Sequence, residues 1–206
     1  MLIRAPAILC ASRPHGEHGA VIRLLTAEHG LVAAYLPGAR GRQLRPLLVP
    51  GNLLDAEVRA RSDTQLPTAR IELVESRGPW LGEPLAAAGL DWACTLAAAS
   101  LPEGHPNPAI HSALAATLDA ICHAPSARGW ALVLARYEAL LLREMGYGLS
   151  EGGDFAAADW PDLLERMRRQ GLAIESRLLA ERRRDVMGTR AILLDRLKRM
   201  SGDGEK

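Results

Sequence analysis

Cysteine is scarce. Cys10, Cys94 and Cys122 are odd in number and far apart, which leaves no disulfide framework and no pair at metal-ligand or redox spacing. Three reduced, buried thiols in a cytoplasmic protein are expected. Lysine is rarer still: only Lys198 and Lys206 occur, so arginine carries nearly all the positive charge. Aromatic residues make up 4% of the chain. No apolar run reaches the ~18 residues that cross a bilayer. Met1-Leu2-Ile3-Arg4-Ala5-Pro6 has no basic stretch followed by an apolar one, so no secretory signal is expected. The phosphate-binding GxxxxGK[ST] loop and the dinucleotide GxGxxG fingerprint are both missing. His105, His111 and His123 lack the spacing of a zinc site or a catalytic triad, and no two carboxylates share a recognisable catalytic setting. The chain therefore reads as a non-enzyme without a cofactor.

What is present describes a globular chain. Its 206 residues are 48% apolar and 24% charged, enough to bury one large core or two small ones. The net charge of +1 hides a pattern. Residues 1–78 hold ten arginines against seven acids, residues 79–160 three against nine, and residues 161–206 twelve basic residues against eight acids. A protein of this kind would grip a polyanion with its ends, and its acidic middle would repel it.

Two periodicities divide the chain. Leu54, Ala56, Val58 and Ala60 alternate with Asp55, Glu57, Arg59 and Arg61, the two-residue period of a strand with one dry face. Residues 7–10, 20–26, 31–36 and the region of Ile71 and Leu73 are further strand candidates. Gly30 supplies a tight hairpin after Ala27-Glu28-His29, with His29 exposed. Five short strands in under 80 residues point to a small barrel. From Pro79 the pattern turns helical, over 84–100, 107–123 and 127–145. Trp130, Leu134, Tyr137, Leu141 and Met145 form one stripe of the third helix, widened by Val133 and Leu140. Gly146 is its expected stop. Trp160-Pro161-Asp162 opens a fourth helix. Thr189 caps a last one over 190–200, with Ile192, Leu193 and Leu197 inward. The expected organisation is α+β: a β domain over 1–78, a mostly helical domain over 79–200, and a frayed tail over 201–206.

The stretch from His29 to Leu54 contains no acid and carries Arg40, Arg42 and Arg45 in one loop. Arginine forks pair with phosphate oxygens in two-point fashion, and Gly38 and Gly41 let the main chain approach a ligand. A solvated loop in an arginine-rich protein is the alternative. His15 and His18 flank Glu17 as a plain turn would place them.

Several motifs in register resemble one family. Ala7-Ile8-Leu9, Gly16-Glu17, the run Leu24-Leu25-Thr26 with Glu28-His29-Gly30-Leu31, Gly38-Ala39-Arg40 and Leu48-x-Pro50-Gly51-Asn52 are similar to the N-terminal domain of RecO, the bacterial recombination mediator and DNA-repair protein. Leu101-Pro102-Glu103, the run Tyr137-Glu138 to Leu149 and Arg190-Ala191-Ile192-Leu193-Leu194 are similar to its helical domain. The resemblance implies a five-stranded OB-fold barrel followed by a helical domain. It also implies DNA work in the RecF/RecR pathway: binding single- and double-stranded DNA, annealing complementary strands, and helping load RecA onto strands coated by single-strand-binding protein (SSB). Contacts with RecR and with the acidic C-terminal tail of SSB are implied too. Many members carry a four-cysteine zinc site soon after the Gly-Tyr-Gly-Leu motif. Here Ser150-Glu151-Gly152-Gly153-Asp154 follows with no cysteine, so no zinc is expected, and Trp160, Leu163, Leu164 and Met167 would hold the segment by packing.

The resemblance assigns DNA contacts to the OB-fold. The corresponding residues are Arg40, Arg42 and Arg45, helped by Arg13, Arg23, Arg59 and Arg61. Arg59 and Arg61 read equally as strand-surface charges. Tyr35, the one barrel aromatic, is either a core residue or a weak stacking surface. Arg166, Arg168, Arg169, Arg182, Arg183 and Arg184 read either as the partner of the SSB tail or as solvated helix faces. Two other functions share the charge pattern: an RNA- or tRNA-binding OB module, and a pure protein–protein adaptor.

Overall fold

The structure, a computed structural model, describes residues 2–60, 65–148, 159–179 and 186–202. The chain forms two compact units. One joins Met1–Gly82 to Leu101–His111, and the other joins Glu83–Ser100 to Ser112–Lys206.

The first unit is a closed barrel of β1 (Leu2–His15), β2 (Gly19–Thr26), β3 (Gly30–Leu36), β4 (Leu53–Arg59) and β5 (Thr68–Glu75), in the order β1-β2-β3-β5-β4 with β4 returning to β1. All pairs are antiparallel except β3–β5, which meet in parallel through Tyr35 and Thr68. This order is that of an OB-fold. The alternation in β4 is as the sequence predicts: Leu54, Ala56 and Val58 enter the core with Leu9, Ile22, Leu24, Leu36 and Ile71. β1 is much longer than its apolar signature. Its first half pairs with β4 up to Ile8 and its second half with β2 from Ile8 onward, the register shifting between Leu9 and Ala11. That bulge lets one strand bend and serve two neighbours. It also buries Ala7, Ile8, Leu9 and Cys10 consecutively, which erases the two-residue period there.

Two motifs close the barrel. Gly51 takes a left-handed φ of 88° and donates its N–H to the Leu9 carbonyl at 2.9 Å, while Leu9 donates back to the Asn52 carbonyl at 3.0 Å. The buried Asn52 amide donates to the Leu47 carbonyl at 3.0 Å and accepts from the Arg77 N–H at 2.7 Å. One side chain thus ties both loops that flank β4 and β5. The second motif lies at the β2–β3 turn. Thr26 Oγ1 accepts the His29 N–H at 3.0 Å, and Gly30 has φ 67°. The Gly104 N–H donates to the Leu31 carbonyl at 2.9 Å, so the 101–111 segment lies along β3. A Cβ on Gly30 would overlap the His105 backbone. This cover leaves His29 half-buried, not exposed as the sequence suggested.

The second unit contains α1 (Pro84–Ser100), α2 (Pro108–His123, whose first turn belongs to the first unit), α3 (Ala127–Glu144), α4 (Trp160–Ala173) and α5 (Val186–Gly202). Ser126 Oγ caps α3 through the Gly129 N–H, and Asp159 Oδ1 caps α4 through the Asp162 N–H at 2.9 Å. α1 packs on α5, and α4 packs on α3 and α5. Leu163 and Met167 are buried, with Trp160 and Leu164 half-buried. Cys94 is buried and Cys122 half-buried.

Three details differ from the sequence reading. The α3 stripe widens through Ala131, Ala135, Glu138 and Leu142, while Val133 and Leu140 are only half-buried. α5 starts at Val186 instead of Arg190. Its inward positions are Val186, Arg190, Leu193 and Leu197, and Ile192 is 54% exposed. Both shifts have one cause: Arg190 and Glu138 turn inward to meet each other, and each helix rotates its stripe to suit.

Candidate nucleic-acid interface

The arginine loop follows β3. Gly38 turns the chain at φ 69°, Gly41 donates its N–H to the Gly38 carbonyl at 2.8 Å, and Arg45 donates its own to Gly41 at 3.0 Å. Arg45–Leu47 then forms a single 3₁₀ turn. Ala39 is buried in the barrel core, and Leu44, Leu47 and Leu48 pack against it. Apolar stakes therefore fix the loop while Arg40, Arg42 and Arg45 stay exposed. Arg40 is also tied to the β1–β2 turn: its N–H donates to the His18 carbonyl at 3.3 Å and its Nη1 to the Glu17 carbonyl at 3.2 Å. One of five guanidinium N–H donors is used this way, and the positive charge is left unneutralised. Among the described residues none of the three arginines makes an ion pair.

Strand register shows how the other candidates relate to the loop. Arg13 stands opposite Val21, Val21 opposite Tyr35, Tyr35 opposite Thr68, and Thr68 opposite Arg59. All five point outward, so Arg13 and Arg59 flank Tyr35 on one continuous belt. At one strand spacing per step the belt is roughly 19 Å long. Tyr35 is half-buried; its ring packs over Gly19, where a Cβ would overlap it, and meets the His15 ring edge-on at 5.9 Å. Gly19 thus makes room for the hydroxyl end of the Tyr35 ring. His15 is a second ring beside it, a pairing with no local signal in the sequence.

The arginines differ in how free they are. Arg59 Nε lies 2.7 Å from Glu57, which Arg4 also contacts at 2.7 Å. Hydrogen bonds from Arg59 and then Arg4 hold the Glu57 carboxyl below the usual carboxylate range. Two cations sharing one anion leave the cluster net positive. Arg23, one row below the belt between Ala11 and Ala33, lies 2.5 Å from Glu103. Arg61 lies outside the described residues, as do Arg182, Arg183 and Arg184. Arg168 and Arg169 both contact Glu165 on α4, at 2.8 and 3.9 Å.

A groove of about 520 Å³ runs beside the loop, between Leu36, Leu44 and Ile71. Its rim mixes Arg4 and Arg70 with Asp55, Glu57 and Glu72, so its charge does not favour a polyanion. Among the described residues no three His, Cys, Asp or Glu side chains converge to hold a metal ion. The segment after Gly148, where the cysteine-free departure falls, lies outside them. No helix among the described residues is long and apolar enough to cross a membrane.

Comparison with known proteins assigns both halves of the chain. Residues 1–77 match the family described as Recombination protein O N terminal, and residues 82–151 match Recombination protein O C terminal. The chain belongs to the RecO family. Its relatives include the DNA repair protein RecO of Phenylobacterium zucineum, 40% identical over 82% of this chain and 68% of that one. RecO of Rhodospirillum centenum is 41% identical over 71% of this chain and 57% of its own length. RecO of Gluconacetobacter diazotrophicus is 34% identical over 93% of this chain and 76% of its own. The motifs shared with RecO now have physical reasons. Pro50-Gly51-Asn52 closes the barrel, and Gly38-Ala39-Arg40 turns, anchors and presents the first arginine of the loop. Leu101-Pro102-Glu103 lays a segment along β3.

Proposed function

We propose that this RecO-family chain is a DNA-binding recombination mediator without catalytic activity. It grips the sugar–phosphate backbone through Arg40, Arg42 and Arg45, with Arg13, Arg23, Arg59 and Arg61 extending the contact around the barrel. The observation that carries this reading is the staked loop: three exposed guanidinium groups without acidic partners among the described residues, on a barrel whose outer belt places Tyr35 between Arg13 and Arg59. Backbone phosphates are the same in every sequence, so such a site binds with little sequence preference. A single ring pair offers modest stacking, which suits a protein that must release both strands after pairing them.

In this reading the chain anneals complementary strands and helps load RecA onto SSB-coated single strands, acting with RecR. Contact with the acidic SSB tail is assigned to the basic C-terminal third, from Arg166 through Arg184. The protein needs no metal or cofactor for this work and acts in the cytoplasm at the nucleoid.

The direct test is annealing of complementary strands pre-coated with SSB. The wild type should accelerate it. An Arg40/Arg42/Arg45→Ala variant of unchanged melting temperature should lose most of that acceleration. Undiminished annealing by the variant would remove the site assignment. Absence of both annealing and DNA binding in the wild type would remove the function. Preference for RNA over DNA of one sequence would favour an RNA-binding module instead.

A further inference from the structure

We infer that Glu103 controls access to Arg23, occupying as an internal anion the position where a DNA phosphate would bind. The inference rests on the proposed DNA-binding reading of the barrel surface and adds to it a residue outside the barrel strands.

Four observations carry it. First, Arg23 sits on the outer face of β2, one outward position along the strand from Val21 and its belt partners Arg13 and Tyr35. Two residues of strand separate such positions by about 7 Å. Second, its cross-strand neighbours on that face are Ala11 and Ala33, which carry no charge to compete for the guanidinium. Third, the carboxylate that meets it arrives from a distant part of the chain. Glu103 is 80 residues away in sequence and places Oε1 2.5 Å from Arg23 Nη2. Fourth, the carboxylate is delivered by anchored backbone. Leu31 and Glu103 bridge in parallel, the Gly104 N–H donates to Leu31 at 2.9 Å, and His105 Nδ1 donates to the Glu103 carbonyl at 2.8 Å. Gly30 leaves no room for a Cβ between β3 and His105.

The pair is nonetheless open to exchange. Arg23 and Glu103 side chains are 35% and 49% exposed, so water and salt reach both. Exposed ion pairs of this kind are weak. A phosphate can displace the carboxylate, but only by breaking an existing ion pair. Arg40, Arg42 and Arg45 make no such exchange. The loop arginines therefore take DNA first, and Arg23 joins only when the strand is already seated. A strand held this way leaves more easily, because Glu103 competes for Arg23 at every fluctuation.

The test is fluorescence anisotropy of a labelled single-stranded oligonucleotide, titrated across salt, with the whole chain. Glu103→Gln keeps the side-chain shape and all the backbone bonds, so it should melt with the wild type. It should tighten binding about two- to fivefold at low salt. Its log–log salt slope should steepen by up to about 0.7, the contribution of the one phosphate contact that Glu103 lets Arg23 hold only part of the time in the wild type. In an Arg23→Ala background the same change should leave the slope where it was. Glu28→Gln removes an exposed acid in the β2–β3 turn and should do neither. The inference is overturned if Glu103→Gln leaves affinity and slope unchanged, if Glu28→Gln matches its effect, or if the slope steepens without Arg23. Salt-dependent binding by the wild type with an inert Glu103→Gln would overturn this inference alone. No binding by either protein would overturn the DNA-binding reading as well.

Discussion

Arg190 and Glu138 lie 52 residues apart and meet inside the helical unit, with Nη2 2.8 Å from Oε2 and Nε 3.0 Å from Oε1. Their side chains are 3% and 0% exposed. Trp92 Nε1 donates to the same carboxylate at 2.7 Å, and the Arg190 guanidinium stands 5.7 Å from the centre of the Trp92 ring. Arg190 also donates to the Met167 carbonyl. One fork thereby binds α5 to α3, α1 and α4.

Removing either partner should strand a buried charge. Arg190→Met or Glu138→Leu is expected to cost about 3–5 kcal/mol of unfolding free energy, and the double variant much less than the two single losses combined. Urea denaturation of the four proteins measures this. Additive losses would mean that the pair is not coupled.

Asn52→Ala should be costly, because Asn52 is buried. It leaves the Leu47 carbonyl and the Arg77 N–H without their partner in a buried site, worth about 1–3 kcal/mol. Because Leu47 ends the arginine loop, DNA affinity should also fall in the folded variant. Paired melting and anisotropy measurements decide whether stability and binding fall together.

Gly30→Ala joins a left-handed φ to an overlap with the His105 backbone. The φ alone costs about 1–3 kcal/mol. Thermal unfolding should show at least that loss. Gly104→Ala, also at positive φ but with open space around it, should lose less.

Burial pushes the Cys10 thiol from about 9 up to about 12. The native state therefore binds the thiol proton more tightly than the unfolded chain. The associated stability is complete below about pH 9 and is lost as pH rises toward 12. Cys10→Ala should flatten that alkaline loss in denaturant titrations between those limits. At pH 8 a thiol reagent should modify half-buried Cys122 before Cys10 or Cys94.

The sequence made much of this legible where a local pattern carries the signal. The period of Leu54, Ala56 and Val58 located β4, Gly30 located a turn, and Trp160-Pro161-Asp162 located the start of α4, whereas Thr189, read as a cap, lies inside α5. Ile192 and Val133 are apolar, yet Ile192 faces water and Val133 is only half-buried, so apolar character alone does not mark the inward face. The residues that turn inward there, Arg190 and Glu138, are charged, and only a partner far along the chain makes their burial tolerable. Arg40, Arg42 and Arg45 were visible as an acid-free run, yet the stakes at Ala39 and Leu44 that hold them outward were not. The ring contact between His15 and Tyr35 and the approach of Glu103 to Arg23 depend on strand register and on a returning segment. Neither leaves a local trace.

The most direct measurement is the salt dependence of single-stranded DNA binding by the wild type and the Arg40/Arg42/Arg45→Ala variant. Three to six phosphate contacts predict a log–log slope on the order of −2 to −5 for the wild type. Loss of three contacts should make the variant's slope shallower by about 2, with the fold intact. Equal slopes for the two proteins would contradict the account, since the loop would then hold no phosphate.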